Sequence, residues 1–266
     1  MPDRSVQLVL QYDGSGFSGW QRQPAMRTVQ SVLEGAMARL TQVEVSVRGA
    51  GRTDAGVHAL GQAADVRVPE RWTASELRRA LNAVLPDDVR VVEVHEMRDH
   101  FNARKDAISR RYSYWLGTDR AAESPFRRRT EWGVNWPLDE TTLDQCAAAI
   151  TGDHSFRSFA VRGTAPSHDH HRCIVGHARW RERPGGLVFE IEANRFLHHM
   201  VRFLVGTMVE FASGKRPDDS WEAVMDAEDN SRAAPPAPAH ALFLERVKYP
   251  EHQYVVRGTG FALDNN

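Results

Sequence analysis

Lysine is nearly missing from this 266-residue chain. Of 34 basic residues only Lys105, Lys215 and Lys248 are lysine, and the rest are arginine. Cysteine is scarce too. Cys146 and Cys173 are the only two, too few for the disulfide framework of a small secreted domain, and they fit a reducing cytoplasm. No apolar run approaches the ~20 residues of a membrane-spanning helix. Met1-Pro2-Asp3-Arg4 opens no apolar signal segment. The formal charge is −1, which argues against a simple polyanion binder. What is present is a globular composition, 41% hydrophobic and 26% charged, with length enough for one large domain or two ordinary ones.

Charge is unevenly placed. Basic residues gather at Arg104-Lys105, Arg110-Arg111 and Arg127-Arg128-Arg129, and acidic ones between Asp218 and Asp229. A near-neutral total can therefore still present a basic face. Arginine suits bidentate phosphate contacts and stacking on bases. A GC-rich coding sequence produces the same bias, and composition does not separate the two causes.

Periodicity organises the chain. Val6 to Tyr12 reads as a strand, broken by Asp13-Gly14-Ser15-Gly16. Apolar residues at 29, 32, 33, 36, 37 and 40 mark an amphipathic helix that Thr28 caps. Val43, Val45 and Val47 alternate as in a half-buried strand, and so do Ala64, Val66 and Val68. Leu77, Ala80, Leu81, Val84 and Leu85 form a second helical stripe, and Val89 to Val94 another strand. This order is β-α-β-β-α-β. The second half repeats it loosely: strand Ile108–Leu116, helix Leu143–Ile150, strands Cys173–Arg181 and Leu187–Glu192, helix Phe196–Phe211, strand Leu242–Val247. The expected fold class is α+β, two ferredoxin-like domains with antiparallel sheets flanking a central cleft. They divide into residues 1–104 and 105–266. Ala233 to Ala239, rich in Pro and Ala, reads as a loop.

The loop Gly51-Arg52-Thr53-Asp54-Ala55-Gly56 joins the second and third strands of the first unit. Its glycines permit unusual backbone angles and close approach by a ligand. It holds one carboxylate and one guanidinium. By itself this pattern also describes a tight turn with a solvated Asp.

Gly51-Arg52-Thr53-Asp54-Ala55-Gly56-Val57-His58 closely resembles the catalytic loop of the tRNA pseudouridine synthases of the TruA family. The resemblance extends to Tyr12-Asp13-Gly14 with Gly19-Trp20-Gln21-Arg22-Gln23, and to Thr28-Val29-Gln30. It continues through Phe101-Asn102-Ala103-Arg104, where Asn102 replaces a common His, and Arg110-Arg111-Tyr112-Ser113-Tyr114. It ends on Asn194-Arg195-Phe196-Leu197-His198-His199-Met200-Val201-Arg202. Six ordered motifs are far more specific than any one.

The resemblance implies an isomerase that converts uridine to pseudouridine at positions 38–40 of the tRNA anticodon stem-loop. It implies a cytoplasmic homodimer that contacts tRNA, with no membrane association and no cofactor. The chemistry agrees on the last point, since no redox change occurs and no atom is gained. Asp54 is the implied catalytic carboxylate, as nucleophile at the sugar or as base at C2′. Cleavage of the N1–C1′ bond has oxocarbenium character, which a carboxylate can stabilise or trap. Burial disfavours an ionised carboxylate and a nearby cation favours it. The resemblance assigns that cation to Arg202, across the cleft. Arg202 also borders the apolar stripe Phe196, Met200, Phe203, Leu204 and Thr207, where an unpaired charge is costly. Tyr112 is implied as the ring stacked on uracil, and Arg52 as a holder of the flipped nucleotide. Arg110 and Arg111 suit phosphate contact, and Arg22 joins them as an RNA-contact candidate.

His168-Asp169-His170-His171-Arg172-Cys173, with His177, invites a metal reading, but its spacing is poor for structural zinc. A polar loop is expected there, with no metal. His198 and His199 are expected to support the site rather than to bind metal. Two other functions compete: an RNA-binding protein without activity, and a nucleoside or glycoside hydrolase. The first is disfavoured by the intact Asp54, Tyr112 and Arg202. The second wants another carboxylate, and none stands near Asp54 in the motifs.

Overall fold

The structure is a computed structural model and describes residues 3–164 and 171–255. Its strands are β1 (Asp3–Tyr12), β2 (Arg48–Gly49), β3 (His58–Pro69), β4 (Val89–Met97), β5 (Ser109–Gly117), β6 (Trp132–Gly133), β7 (Gly152–Ser155), β8 (Arg172–Arg183), β9 (Gly186–Ala193) and β10 (Leu242–Lys248). Its helices are α1 (Val29–Thr41), α2 (Ala74–Val84), α3 (Glu140–Ala149), α4 (Met200–Ala212) and α5 (Trp221–Asp226). No helix among the described residues is long and apolar enough to cross a membrane.

Local chemistry explains the helix starts. Thr28 caps α1 through the Ser31 amide, and the Ser31 hydroxyl accepts from the Thr28 amide in return. Thr73 and Glu76 make the same reciprocal box for α2. Each box satisfies amides that a helix end leaves bare. Asp139 and Ser220 cap α3 and α5.

The sheet is where the structure departs from expectation. The strands form a single sheet in the order β4-β1-β3-β10-β5-β9-β8-β7, with β2 on β3 and β6 on β5. The two expected sheets are thus one. The joint is short: β10 runs parallel to β3, with Phe243 opposite His58 and Leu244 opposite Ala59. The outer edge of β3 is shared, its start bound to β10 and its Ala64–Asp65 stretch to Arg48–Gly49. The strand expected over Val43–Val47 does not form, and pairing begins only at Arg48 and Gly49, the two residues after it. Val43 is exposed, while Val47 enters the core.

One hydrophobic cluster runs through both halves, from Leu8, Leu33 and Leu81 to Phe189, Leu204 and Val224. A smaller cluster of Ala50, Ala63, Met97, Phe101, Ala103 and Tyr249 anchors the connection between the halves. Phe101 packs edge-on to Tyr249 at 5.0 Å, and the Tyr249 hydroxyl donates to the Ala103 carbonyl at 2.7 Å. The Phe101–Arg104 motif therefore holds the link in place.

Helix α4 begins later than the periodicity predicts. Residues 196–199 form a turn, and His199 stands at φ 61, in the left-handed region. A non-glycine residue there costs roughly 1–3 kcal/mol and persists only when its surroundings enforce it. The turn swings two imidazoles out of the helix and into the site.

Candidate active site

The loop from Gly51 to Val57 is pinned on every side. Its Thr53 carbonyl accepts from the Trp20 amide at 3.0 Å. The Gly51 carbonyl accepts from the Gln62 side chain at 2.9 Å. The Thr53 hydroxyl pairs with the Tyr12 hydroxyl at 2.8 Å, buried, and burial pushes the Tyr12 phenol up to about 12. Gly19, at φ 87, lies so close that a Cβ there would stand 2.7 Å from the Thr53 carbonyl oxygen. The Tyr12-Asp13-Gly14 and Gly19-Trp20 motifs thus act by gripping the Asp54 loop. This is preorganisation, since a carboxylate held in place needs no reordering when substrate arrives.

Asp54 meets three cationic or titratable side chains from the other half. Arg202 Nη1 donates to its Oδ2 at 3.1 Å. His199 Nε2 lies 3.3 Å from Oδ2, and His198 Nε2 lies 3.6 Å from Oδ1. Arg202 is held in turn by the Ala237 carbonyl, to which its Nε donates at 2.7 Å. The Ala237 amide donates back to the Arg202 carbonyl at 3.0 Å. The Pro/Ala-rich stretch at 233–239 therefore has a task that composition did not reveal. It clasps α4 so closely that a Cβ on Gly206 would stand 2.4 Å from the Pro235 oxygen. Burial lowers the His199 pKa, with the Asp54 charge acting the other way.

Tyr112 lies on β5 with its ring edge-on to Phe196 at 5.0 Å. Burial, with smaller contributions from Tyr12 and Asp54, raises its phenol well above the ordinary range. In this resting site it is a neutral phenol, suited to stacking and hydrogen bonding and unsuited to acting as a base.

These groups line a groove of about 1380 Å³ that takes residues from both halves, including Trp20, Arg52, Asp54, Tyr112, Phe196, His199 and Arg202. Arg52 is exposed in it and has no side-chain ion pair or hydrogen bond among the described residues. Arg104, Lys105 and Arg195 add cations to its wall.

The other expected RNA contacts stand elsewhere. Arg110 reaches the groove, but its guanidinium donates to four backbone carbonyls: Ala107, Asn194, Ala50 and Arg104, at 3.2, 2.8, 2.9 and 2.7 Å. Four of its five N–H donors are used. Arg111, one residue on, points through the sheet to the reverse face and pairs with Glu190 at 3.0 Å. Arg22 lies on Glu34 at 3.2 Å, exposed and outside the groove wall. Of the histidine segment, residues 168–170 lie outside the described residues. Arg172 pairs with Asp153 at 3.1 Å. Sequence reasoning missed Arg110 as a clasp, and no local signal marks it. It also left unstated that His198 and His199 face Asp54 itself.

Known proteins resemble this chain over most of its length. A family model described as tRNA pseudouridine synthase matches residues 8–104 and 146–250. The chain is 36% identical to a tRNA pseudouridine synthase A of Brachyspira hyodysenteriae, covering 93% of this chain and 99% of that one. It is 40% identical to the protein of the same name from Myxococcus xanthus, covering 92% and 91%. With that from Roseiflexus sp. it is also 40% identical, over 97% and 94%. The pinned aspartate loop and the arginine that meets it thus lie in a chain that belongs to the tRNA pseudouridine synthase family, isomerases that act on uridine in tRNA.

Proposed function

We propose that this enzyme isomerises uridines 38–40 of the tRNA anticodon stem-loop, with Asp54 as its catalytic carboxylate. The observation that carries this is the contact of Asp54 with Arg202 at 3.1 Å, made from opposite halves at the floor of the shared groove. A carboxylate paired with a guanidinium, with an aromatic ring beside it, suits a reaction that builds positive charge on a sugar. In that reaction the N1–C1′ bond breaks and the C5–C1′ bond forms. The C5 proton leaves to solvent and N1 gains one, so atoms balance without a cofactor.

Tyr112 stacks on the uracil and Arg202 holds Asp54 in position. Arg52, with Arg104 and Lys105, takes phosphates along the groove, while Arg110 holds its wall. Each half, 1–104 and 105–266, follows a split β-α-β-β-α-β plan, with strand orders β4-β1-β3-β2 and β10-β5-β9-β8. The enzyme acts as a homodimer in the cytoplasm, where the free and buried Cys146 and Cys173 need no oxidising partner.

Tritium release from tRNA labelled at uridine C5 tests the reading. Wild type should release tritium, and Asp54→Asn should lose on the order of 10³-fold or more while still binding tRNA. Full release by Asp54→Asn would falsify the assignment. Free uracil as product would instead indicate a hydrolase. Release should also vanish from tRNA lacking uridine at 38–40.

A further inference from the structure

The side chains of Asp54, His198 and His199 form a second kind of site. Their ligand atoms all lie within 4.8 Å of one another. The separations to Asp54 are 3.6 Å from His198 Nε2 and 3.3 Å from His199 Nε2. A tetrahedral metal with bonds of about 2.05 Å to nitrogen and oxygen places its ligand atoms roughly 3.3 Å apart. The imidazoles are splayed, with ring centroids 4.1 Å apart at 51°, and both turn an Nε2 toward the carboxylate. Two imidazoles and one carboxylate are a ligand set for zinc and its neighbours, and calcium and magnesium favour oxygen instead. The left-handed backbone of His199 aims its ring here, and its side chain caps no helical amide.

We propose that a divalent transition ion of the zinc class binds Asp54, His198 and His199 and, by occupying the carboxylate, switches the enzyme off. The inhibitory half of this rests on Asp54 being the catalytic group, and the binding half does not. Asp54 has two oxygens, and Arg202 bonds only Oδ2. Oδ1 is left to take a metal with His198, and His199 closes the set after a small ring rotation. The fourth position faces the groove and holds water. Arg202 is then a competitor, since its charge beside Oδ2 opposes a second cation. Bound uridine is another competitor, because it must approach the same carboxylate.

Two readouts separate binding from inhibition. Co²⁺ serves as a spectroscopic probe on the enzyme without RNA. Zn²⁺ at a buffered free concentration serves in the tritium-release assay. Wild type should develop the intense visible absorption of four-coordinate Co²⁺. His198→Asn and His199→Gln should each weaken Co²⁺ binding at least tenfold, and Asp54→Asn should weaken it comparably. Joint replacement of His168, His170 and His171 by Ala should leave binding unchanged. Arg202→Met should lower activity yet bind Co²⁺ several-fold more tightly, a reversal that a merely structural arginine would not give. Zn²⁺ should inhibit release, and a chelator should restore it. Binding that survives His198→Asn and His199→Gln, or that disappears with the loop histidines, overturns the site. Binding as expected with no inhibition at tRNA concentrations far below saturation upholds the site and overturns its role as an off-switch, while the tritium release of Asp54→Asn tests the catalytic group separately.

Discussion

The two faces of β5 make opposite use of the same chemistry. On one face Arg110 and Tyr112 border the groove, where every charged group is turned to a purpose and the aspartate is loosely ringed. On the other, Arg111, Ser113 and Trp115 line a smaller hollow of about 350 Å³. There Glu190 is surrounded by Arg111, Arg179 and Arg181 at 3.0, 2.8 and 3.3 Å. Glu192 likewise meets Lys248 at 2.8 Å and Arg246 at 3.3 Å. The reverse face surrounds each of these carboxylates with several cations. Among the described residues the groove face keeps Arg52 without an ion pair, and it gives Asp54 partners at 3.1 to 3.6 Å. Adjacent arginines, identical in the sequence, therefore do different work because a strand turns alternate residues to opposite faces.

The contrast can be attacked at Arg110 first. Arg110→Met removes the clasp on Ala50, Asn194 and Arg104 while keeping the stem. We expect kcat to fall on the order of 10²-fold, as small misplacements at reacting groups do. The salt dependence of tRNA binding should stay the same, because no phosphate contact is lost. A flattened salt slope would return Arg110 to the phosphate. Tyr112 comes next. Tyr112→Leu should cost roughly 10–100-fold in kcat/KM, the scale of one lost base stack. Tyr112→Phe should stay within a few-fold, since a phenol held neutral contributes mainly its ring. An equal loss in both variants would make the hydroxyl the essential part.

Arg111→Met should be milder. Activity is expected within about threefold of wild type, with stability down by ~1 kcal/mol in urea titration, since Glu190 keeps its other partners. A large loss of tRNA affinity in Arg111→Met would place RNA on the reverse face. The smallest effect concerns pH. Burial pushes the Glu192 carboxyl up, but Lys248, Ser109 and Arg246 outweigh it and bring it down to about 2. A carboxyl lowered in the folded state stabilises fully above its unfolded value of ~4.3. That contribution is lost as pH falls from there to about 2. Glu192→Gln should therefore flatten the acid limb of a thermal-melting profile and leave activity at neutral pH unaltered.

Much of the molecule was legible before its fold. Thr28 announced α1, because a cap is a contact of three residues' span. Val6–Tyr12, Cys173–Arg181 and Leu242–Val247 carried strand patterning that the sheet confirms. The errors fall where distant partners intervene. The Val43–Val47 alternation stays out of the sheet, and only Arg48–Gly49 after it pairs with β3. The apolar stripe that begins at Phe196 is helical only from Met200, because Asp54 and the groove take the turn before it.

The sequence by itself determined the family, the loop that carries Asp54 and the helices' caps. Those depend on the order of residues and on contacts within a few positions. Only the tertiary structure decided that Asp54 would meet Arg202 across 148 positions. It alone spent Arg110 on four carbonyls and turned Arg111 away, and it set two imidazoles against the carboxylate. Each of these depends on strand pairing between remote segments, and pairing energy is distributed over a whole sheet rather than written in any short stretch.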